Sequence, residues 1–370
     1  MKSPLHLLQA IEERKRKGLF RELKFEHPAV DFCSNDYLGF SKDGLLEAKI
    51  SELNLYSKQS GSTGSRLISG NSEFVEQLER EIASFHNSEA ALLFNSGYDA
   101  NLGLMSSVPQ KEDLILFDEL IHASLYDGIR LSYAKHYKFK HNDVAQLSEL
   151  IERHKINFKN IYVVVESVYS MDGDEAPLKE IIDLCEKNGC HAIVDEAHAI
   201  GIFGKQGRGL CNELNIEDKC FARIYTYGKA MGCHGAAVTG SKALRDYLIN
   251  FSRSFIYTTA LPFHSLASIK AAYVLLRETE RIELLKKNIT YFNELTSRSK
   301  KIIKSRSAIH CKLTKGNEKV DALEKRLAES NFYVKAIKSP TVKEGKERVR
   351  ICLHAFNTET EIKKLARSIK

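Results

Sequence analysis

The chain has 370 residues, enough for one large α/β unit or two domains with a well-buried core. Hydrophobic residues make up 43% and charged residues 28%, an ordinary globular balance, and no apolar run approaches the ~20 residues of a membrane helix. The net charge of +7 comes from scattered basic residues without the stripe or motif of a nucleic-acid binder, so neither a membrane nor a nucleic acid is expected as a partner.

From the N-terminus, Leu5, Leu8 and Ile11 are spaced for one face of a helix over Leu5–Arg16. The opening Met1-Lys-Ser-Pro-Leu-His lacks the apolar core of a signal peptide. The eight cysteines form no CxxC and no ligand-like spacing. A cytoplasmic protein with reduced thiols and no metal site is expected. Residues 29–34 read as a strand, followed by the polar, glycine-ended turn Asn35-Asp-Tyr-Leu-Gly39. Residues 61–70, with three glycines among small hydroxyl residues, cannot hold a regular element but can bring backbone N–H groups close to a phosphate or a partner chain. Asn71 and Ser72 then offer caps for a helix striped by Phe74, Leu78, Ile82 and Phe85.

Next comes a regular alternation. Short apolar strands are predicted at 90–94, 114–117, 161–165, 191–195 and 222–226, with helices at 98–105, after His122, and at 177–187. Strands apolar on both faces and separated by helices imply a mostly parallel sheet covered on both sides, with ligands at the strands' carboxyl ends. Gly97, Ser170, Asp195, His198 and Lys229 all fall at such ends. After Pro262 the pattern changes to a long helical stretch, broken near Glu278, and then to short strands and helices, among them a strand over 332–337. The expected organisation is an N-terminal arm (1–45), a large domain (46–262) and a smaller α+β domain (263–370).

Lys229 lies between a strand end and small residues in Thr226-Tyr-Gly-Lys229-Ala-Met-Gly232, open on one side as a lysine must be to form an imine with an aldehyde cofactor. A lone lysine after a strand is most often a surface residue. Two other stretches weigh against that here. Asp195, in Val194-Asp-Glu-Ala-His198, ends a buried strand and needs a cationic partner, which a protonated pyridinium would be; a helix-capping aspartate is the alternative. Asn95-Ser-Gly97-Tyr98 turns from strand into helix and points N–H groups outward at the positive end of a helix dipole. Together these supply what pyridoxal phosphate (PLP) requires. His198 is placed to bond the cofactor's phenolic oxygen or to orient Asp195, a purely structural histidine being the alternative, and His122 to stack on a planar ring or to cap its helix.

In this arrangement the chain resembles the α-oxoamine synthases, PLP enzymes of the type I (aspartate aminotransferase-like) fold. The likeness is carried by Ser34-Asn-Asp-Tyr-Leu-Gly39, residues 61–70 and 95–101, His122-Ala-Ser-Leu, Ser170-Met-Asp-Gly-Asp174, Val194-Asp-Glu-Ala-His198, Gly207-Arg-Gly209, Thr226-Tyr-Gly-Lys229 and Tyr257-Thr-Thr-Ala-Leu-Pro262. His141-Asn-Asp, the continuation of the Ser170 stretch to Leu178, and Ala336-Ile-Lys-Ser-Pro-Thr341-Val favour the branch that joins L-alanine to a pimeloyl thioester. Lys338 and Ser339 depart from the arginine and proline often found there.

The resemblance implies that Lys229 holds PLP and takes the alanine Cα proton, while Asp195 keeps the ring an electron sink. Gly97 and Tyr98 would meet the phosphate region; Ser170, His198 and Thr226 would also touch the cofactor, with His122 stacked on it. Arg350 would clamp the amino-acid carboxylate, its fork suiting two oxygens. Arg21, Asn35 and Thr341 would contact substrate. Thr258 and Thr259 would reach the neighbour's phosphate across a homodimer. The acyl donor would be a thioester of coenzyme A or an acyl carrier protein. A sister enzyme using glycine or serine, an aminotransferase, and a non-catalytic partner subunit remain alternatives; the last commonly lacks the lysine.

Overall fold

The protein is described by a computed structural model covering residues 3–23 and 29–369; parts of the expected N-terminal arm, 1–2 and 24–28, lie outside the described residues. In chain order its strands are β1 Val30–Asp31, β2 Ala90–Phe94, β3 Leu114–Asp118, β4 Lys135–Phe139, β5 Ile161–Glu166, β6 His191–Asp195, β7 Ala222–Thr226, β8 Ala236–Gly240, β9 Ile302–Ile303, β10 Ile309–Leu313, β11 Phe332–Tyr333, β12 Lys335–Ile337 and β13 Arg348–Cys352.

A seven-stranded sheet in the order β2-β8-β7-β6-β5-β3-β4 forms the large layer. Its strands all run one way except β8, which is antiparallel to both neighbours. Alternate side chains feed two cores. Leu93, Leu116, Val163, Val194 and Tyr225 pack on one face, and Leu92, Ile115, Val164, Ile193 and Ile224 on the other. Burial on both faces explains the unbroken apolar runs of the central strands. The register pairs Glu166 with Asp195, setting two carboxylates side by side at the carboxyl edge.

The helices begin where their caps direct. Ser72 accepts from the Val75 N–H and starts Glu73–Phe85, and Ser96 accepts from the Asp99 N–H and starts Gly97–Ser107. The helical stretch after Pro262 breaks into Phe263–Glu278 and Arg281–Leu295. Beyond it, a four-stranded antiparallel sheet, β12-β13-β10-β9, packs with Asn317–Glu329, while Glu359–Ser368 packs on Arg281–Leu295. All eight cysteines are free.

The structure departs from the sequence reading in four places. Ala236–Gly240, read only as small residues before a helix, is the antiparallel strand β8. Lys135–Phe139 is an edge strand whose mostly exposed residues gave no apolar signal. The strand read over 29–34 is only Val30–Asp31. The one read over 332–337 breaks at Val334, because Phe332 and Tyr333 pair with Val30 and Asp31 while Lys335 to Ile337 join the four-stranded sheet.

Candidate active site

Consecutive strand ends build one wall of a cavity of about 240 Å³. Glu166 follows from β5, Asp195 from β6, and Lys229 from the loop between β7 and β8; all three line it. That loop is held tight by hydrogen bonds from Gly232 N–H to the Lys229 carbonyl and from Cys233 N–H to the Tyr227 carbonyl, both 2.9 Å. Gly97 and Tyr98 contribute the start of the helix Gly97–Ser107, and their N–H groups have no hydrogen-bond partner among the described residues. Gly97 sits so close to β7 that a Cβ there would meet Thr226 Cγ2 at 2.4 Å, so only glycine lets the helix start close against the strand.

Asp195 is buried and doubly held: Asn101 Nδ2 donates to Oδ2 at 2.8 Å, and the Ala197 N–H donates to Oδ1 at 2.9 Å. His198 is also buried, with Nδ1 2.8 Å from the Tyr37 hydroxyl. Its proton affinity is pushed well below normal by burial and then by the Lys229 and Arg350 charges, so the ring is neutral. His122, at the cavity rim, accepts the Ser124 N–H at Nδ1 and caps the next helix; partial burial of its ring lowers its proton affinity. Lys229 is lowered by burial, against the pull of Asp195 and Glu166, so the free amine forms more readily than on an exposed lysine.

Not every candidate reaches this wall. Asn35 lines the cavity, and Arg350 joins it through Asn35, donating from Nη2 to Oδ1 at 3.0 Å. Ser170 is met only through its carbonyl, which accepts Arg350 Nε at 2.8 Å. Arg21 and Thr341 are exposed and do not line the cavity. Lys338 Nζ does tie the two segments together, donating to the Gly18 carbonyl at 3.1 Å. Thr258 and Thr259 are held by Asn95, whose Nδ2 donates to Thr258 Oγ1 at 2.9 Å and to the Thr259 carbonyl at 2.8 Å, and neither lines this cavity.

Three residues of this site had no assigned role in the sequence reading. Tyr37 joins His198, Asn35 and Arg350. Asn101 fixes Asp195. Glu166, buried with Oε1 unpartnered among the described residues, is pushed well above the usual carboxylate range by burial and then by the Asp195 charge, which favours its protonated form. The signal for Glu166 was available, since a carboxylate ends an otherwise apolar strand.

The family described as aminotransferase class I and II matches residues 27–369. The chain belongs to this family. Among its relatives, an 8-amino-7-oxononanoate synthase from Emericella nidulans is 42% identical, the alignment covering 98% of this chain and 94% of that one. The crystal structure of an 8-amino-7-oxononanoate synthase from Francisella tularensis is similar with a TM-score of 0.79 and 32% identity, covering 93% and 97%. A serine palmitoyltransferase from S. paucimobilis, solved with a bound PLP–myriocin aldimine, gives a TM-score of 0.89 at 26% identity, covering 99% and 96%. The protein is a PLP-dependent, acyltransferase-type member of the class I and II family, similar to the α-oxoamine synthases.

The residues present fit the cofactor. A cavity edged by two free N–H groups at a helix start suits a phosphate, and Thr226 Oγ1 beside it is buried without a partner. A buried carboxylate suits a ring cation, and an amine of lowered proton affinity suits an aldehyde. In this member of the family Gly97, Tyr98 and Thr226 would hold the phosphate end, Asp195 the ring nitrogen, His198 the ring oxygen, His122 one ring face, and Lys229 the aldehyde carbon.

Proposed function

We propose that the protein condenses L-alanine with a pimeloyl thioester, carried by coenzyme A or an acyl carrier protein, to give 8-amino-7-oxononanoate, CO2 and free thiol in biotin biosynthesis. The observation that carries this reading is the meeting of Lys229, Asp195 and the Arg350–Asn35 pair around one cavity, in a chain 42% identical along nearly its whole length to an enzyme of that name. In the reaction a carbon–carbon bond forms between the alanine Cα and the thioester carbonyl carbon, the thiol leaves, and the alanine carboxylate departs as CO2.

When bound, PLP supplies an electron sink for the electron pair left at Cα. The Lys229 amine takes the Cα proton, its lowered affinity making it free base nearer neutral pH. Asp195, fixed by Asn101 and the Ala197 N–H, holds the ring proton. Arg350 turns its fork to the amino-acid carboxylate, with Asn35 and Tyr37 keeping it oriented. Neutral His198 donates or accepts one hydrogen bond without adding charge. Arg21 and Thr341, on segments joined by Lys338, meet the acyl chain where it leaves the cavity.

The working form is a cytoplasmic homodimer in which Thr258 and Thr259 serve the neighbour's site; their absence from their own cavity and the exposure of Ile68 and Tyr257 support this. A thiol-release assay with PLP, alanine, glycine and serine against pimeloyl, octanoyl and acetyl thioesters tests the reading. Alanine with pimeloyl is the expected best pair. Glycine with acetyl as best pair would transfer the protein to a sister activity. A sister reading has one structural argument, the TM-score of 0.89 to a serine palmitoyltransferase against 0.79 to the Francisella enzyme; identities of 26% and 32% order the two the other way.

A further inference from the structure

One cluster outside the cavity has no part in the chemistry above. His141 follows β4 and lies between two carboxylates. Its Nδ1 is 3.0 Å from Oδ1 of Asp118, a fully buried residue at the end of β3, and its Nε2 is 2.7 Å from Asp174 Oδ2. A neutral imidazole has one N–H and one bare lone pair, which would face a carboxylate oxygen with only the Asn142 amide, 3.3 Å from Nε2, to offset it. Only the doubly protonated ring donates to both.

The surroundings agree. Asn142, held at a positive φ of 56°, gives its N–H to Asp118 Oδ2 at 2.8 Å and its amide to Asp174 Oδ2 at 3.1 Å. The Leu120 N–H donates to Asp118 Oδ1. Tyr169 stands edge-on to the imidazole at 4.4 Å. Beyond these, the flanking charges are already paired, Glu119 with Lys343 and Glu175 with Arg306. Burial works against the ring's charge, but the two carboxylates outweigh it and lift His141 to about 9.

Asp174 closes the loop 170–174, and the other side of that loop is gripped by the C-terminal sheet. Arg350 Nε bonds the Ser170 carbonyl at 2.8 Å, Arg348 pairs with Asp172, and Ser307 Oγ donates to the Gly173 carbonyl at 3.0 Å. The loop is thus stretched between His141 in the large layer and Arg350 in the small one.

We propose that His141 is a positioning residue, a charged pin between Asp118 and Asp174 that fixes the loop 170–174 and through the Ser170 carbonyl sets the aim of Arg350, so that amino-acid affinity depends on the pin's proton. The proposal rests on the reading of Arg350 as the partner of the amino-acid carboxylate.

The test compares wild type with His141→Gln as PLP-loaded enzymes, following alanine binding by the change in cofactor absorbance. At pH 7.5 the variant is expected to bind alanine roughly tenfold more weakly with kcat within about twofold. Between pH 8 and 10 wild type should lose its advantage while the variant's curve lacks that fall. Equal affinity at pH 7.5, or parallel pH curves, would overturn the proposal.

A second readout concerns folding. Because the folded-state pKa is raised above the unfolded value, the pin's stabilisation is fully present below the unfolded pKa of ~6.5 and is lost as pH rises through about 9. The Tm gap between the two proteins should therefore close between pH 7 and 10, and a constant gap counts against a charged pin. Should His141→Gln not fold, Asp174→Asn must move the fall in wild-type affinity about one unit lower in pH; no movement overturns the idea. If neither alanine, glycine nor serine perturbs wild type, it is the Arg350 reading that fails, and the Tm comparison with Asp174→Asn alone decides the charge on His141.

Discussion

The two sides of the cavity are built on different principles. On the large-sheet side, Glu166, Asp195 and Lys229 sit at or just past the ends of neighbouring hydrogen-bonded strands, and their spacing follows from the ladder itself. On the C-terminal side, Arg350 reaches the cavity through the side chain of Asn35, and is steadied by Tyr37 and the Ser170 carbonyl. The first side is a rigid edge, suited to holding reacting groups at fixed spacing. The second is a hydrogen-bond chain across two layers, which suits substrate selection because its geometry can be adjusted without moving the sheet.

This contrast predicts that changes on the sheet side strike turnover and those on the other side strike affinity. The largest effect is expected for Lys229→Ala, with turnover falling ~10⁴-fold or more and covalent retention of PLP lost. Borohydride reduction followed by peptide mass analysis checks it, and a labelled peptide elsewhere would sink the assignment. Asp195→Asn should cost roughly 10²–10³-fold in kcat while PLP stays bound, since an amide keeps the shape but not the charge. The measurement is exchange of the alanine Cα proton in deuterated water; near-normal exchange would remove Asp195 from its role.

Across the cavity, Arg350→Lys should raise KM for the amino acid ~10–100-fold with a smaller change in kcat, because a point charge replaces a fork that also bonds Asn35 and Ser170. A loss confined to kcat would break the division between the two sides. The smallest effect is on stability. The folded-state pKa of Glu166 is raised, so the fold holds its proton more tightly than the unfolded chain does, and stability falls as pH rises above the unfolded value. Glu166→Gln in the apo protein should therefore raise Tm by roughly 2 °C at pH 8 and less at pH 5. A gain that is equal or larger at pH 5 would mean that Glu166 is ionised.

The sequence disclosed the sheet side more readily than the other for a physical reason. Strands buried on both faces are apolar along their length, so the break in each apolar run marks the edge, and Gly97, Asp195 and Lys229 stand at or a few residues past such breaks. β8 escaped because only Val238 and Thr239 of Ala-Ala-Val-Thr-Gly favour a strand, and it is one by virtue of its neighbours β2 and β7. Tyr37 had no local signal for its part, since its partners His198 and Arg350 are 161 and 313 residues away. Arg21 and Thr341 came only from resemblance, and nothing in their own stretches announced where they lie. His141 stood in a motif whose purpose becomes visible only when Asp118 and Asp174 are brought to either side of it.

The reversed strand β8 also acts as a ruler. With neighbouring strands ~4.8 Å apart, its place between β2 and β7 sets the ends of those two strands, Phe94 and Thr226, two spacings apart, ~10 Å, and the turn after Phe94 crosses that interval to bring Gly97 against Thr226. Because β8 runs backwards, the cavity meets Gly235, the residue just before it, rather than an end with a following helix, so the helix start at Gly97 can lean over that rung. The next rungs, β6 and β5, carry Asp195 and Glu166 at the same increment. A molecule lying along this edge would be gauged in steps of one strand from β7 onward, with Lys229 at one mark, Asp195 at the next and Glu166 at the one after. Removing a strand would shorten the gauge without touching a single residue that grips.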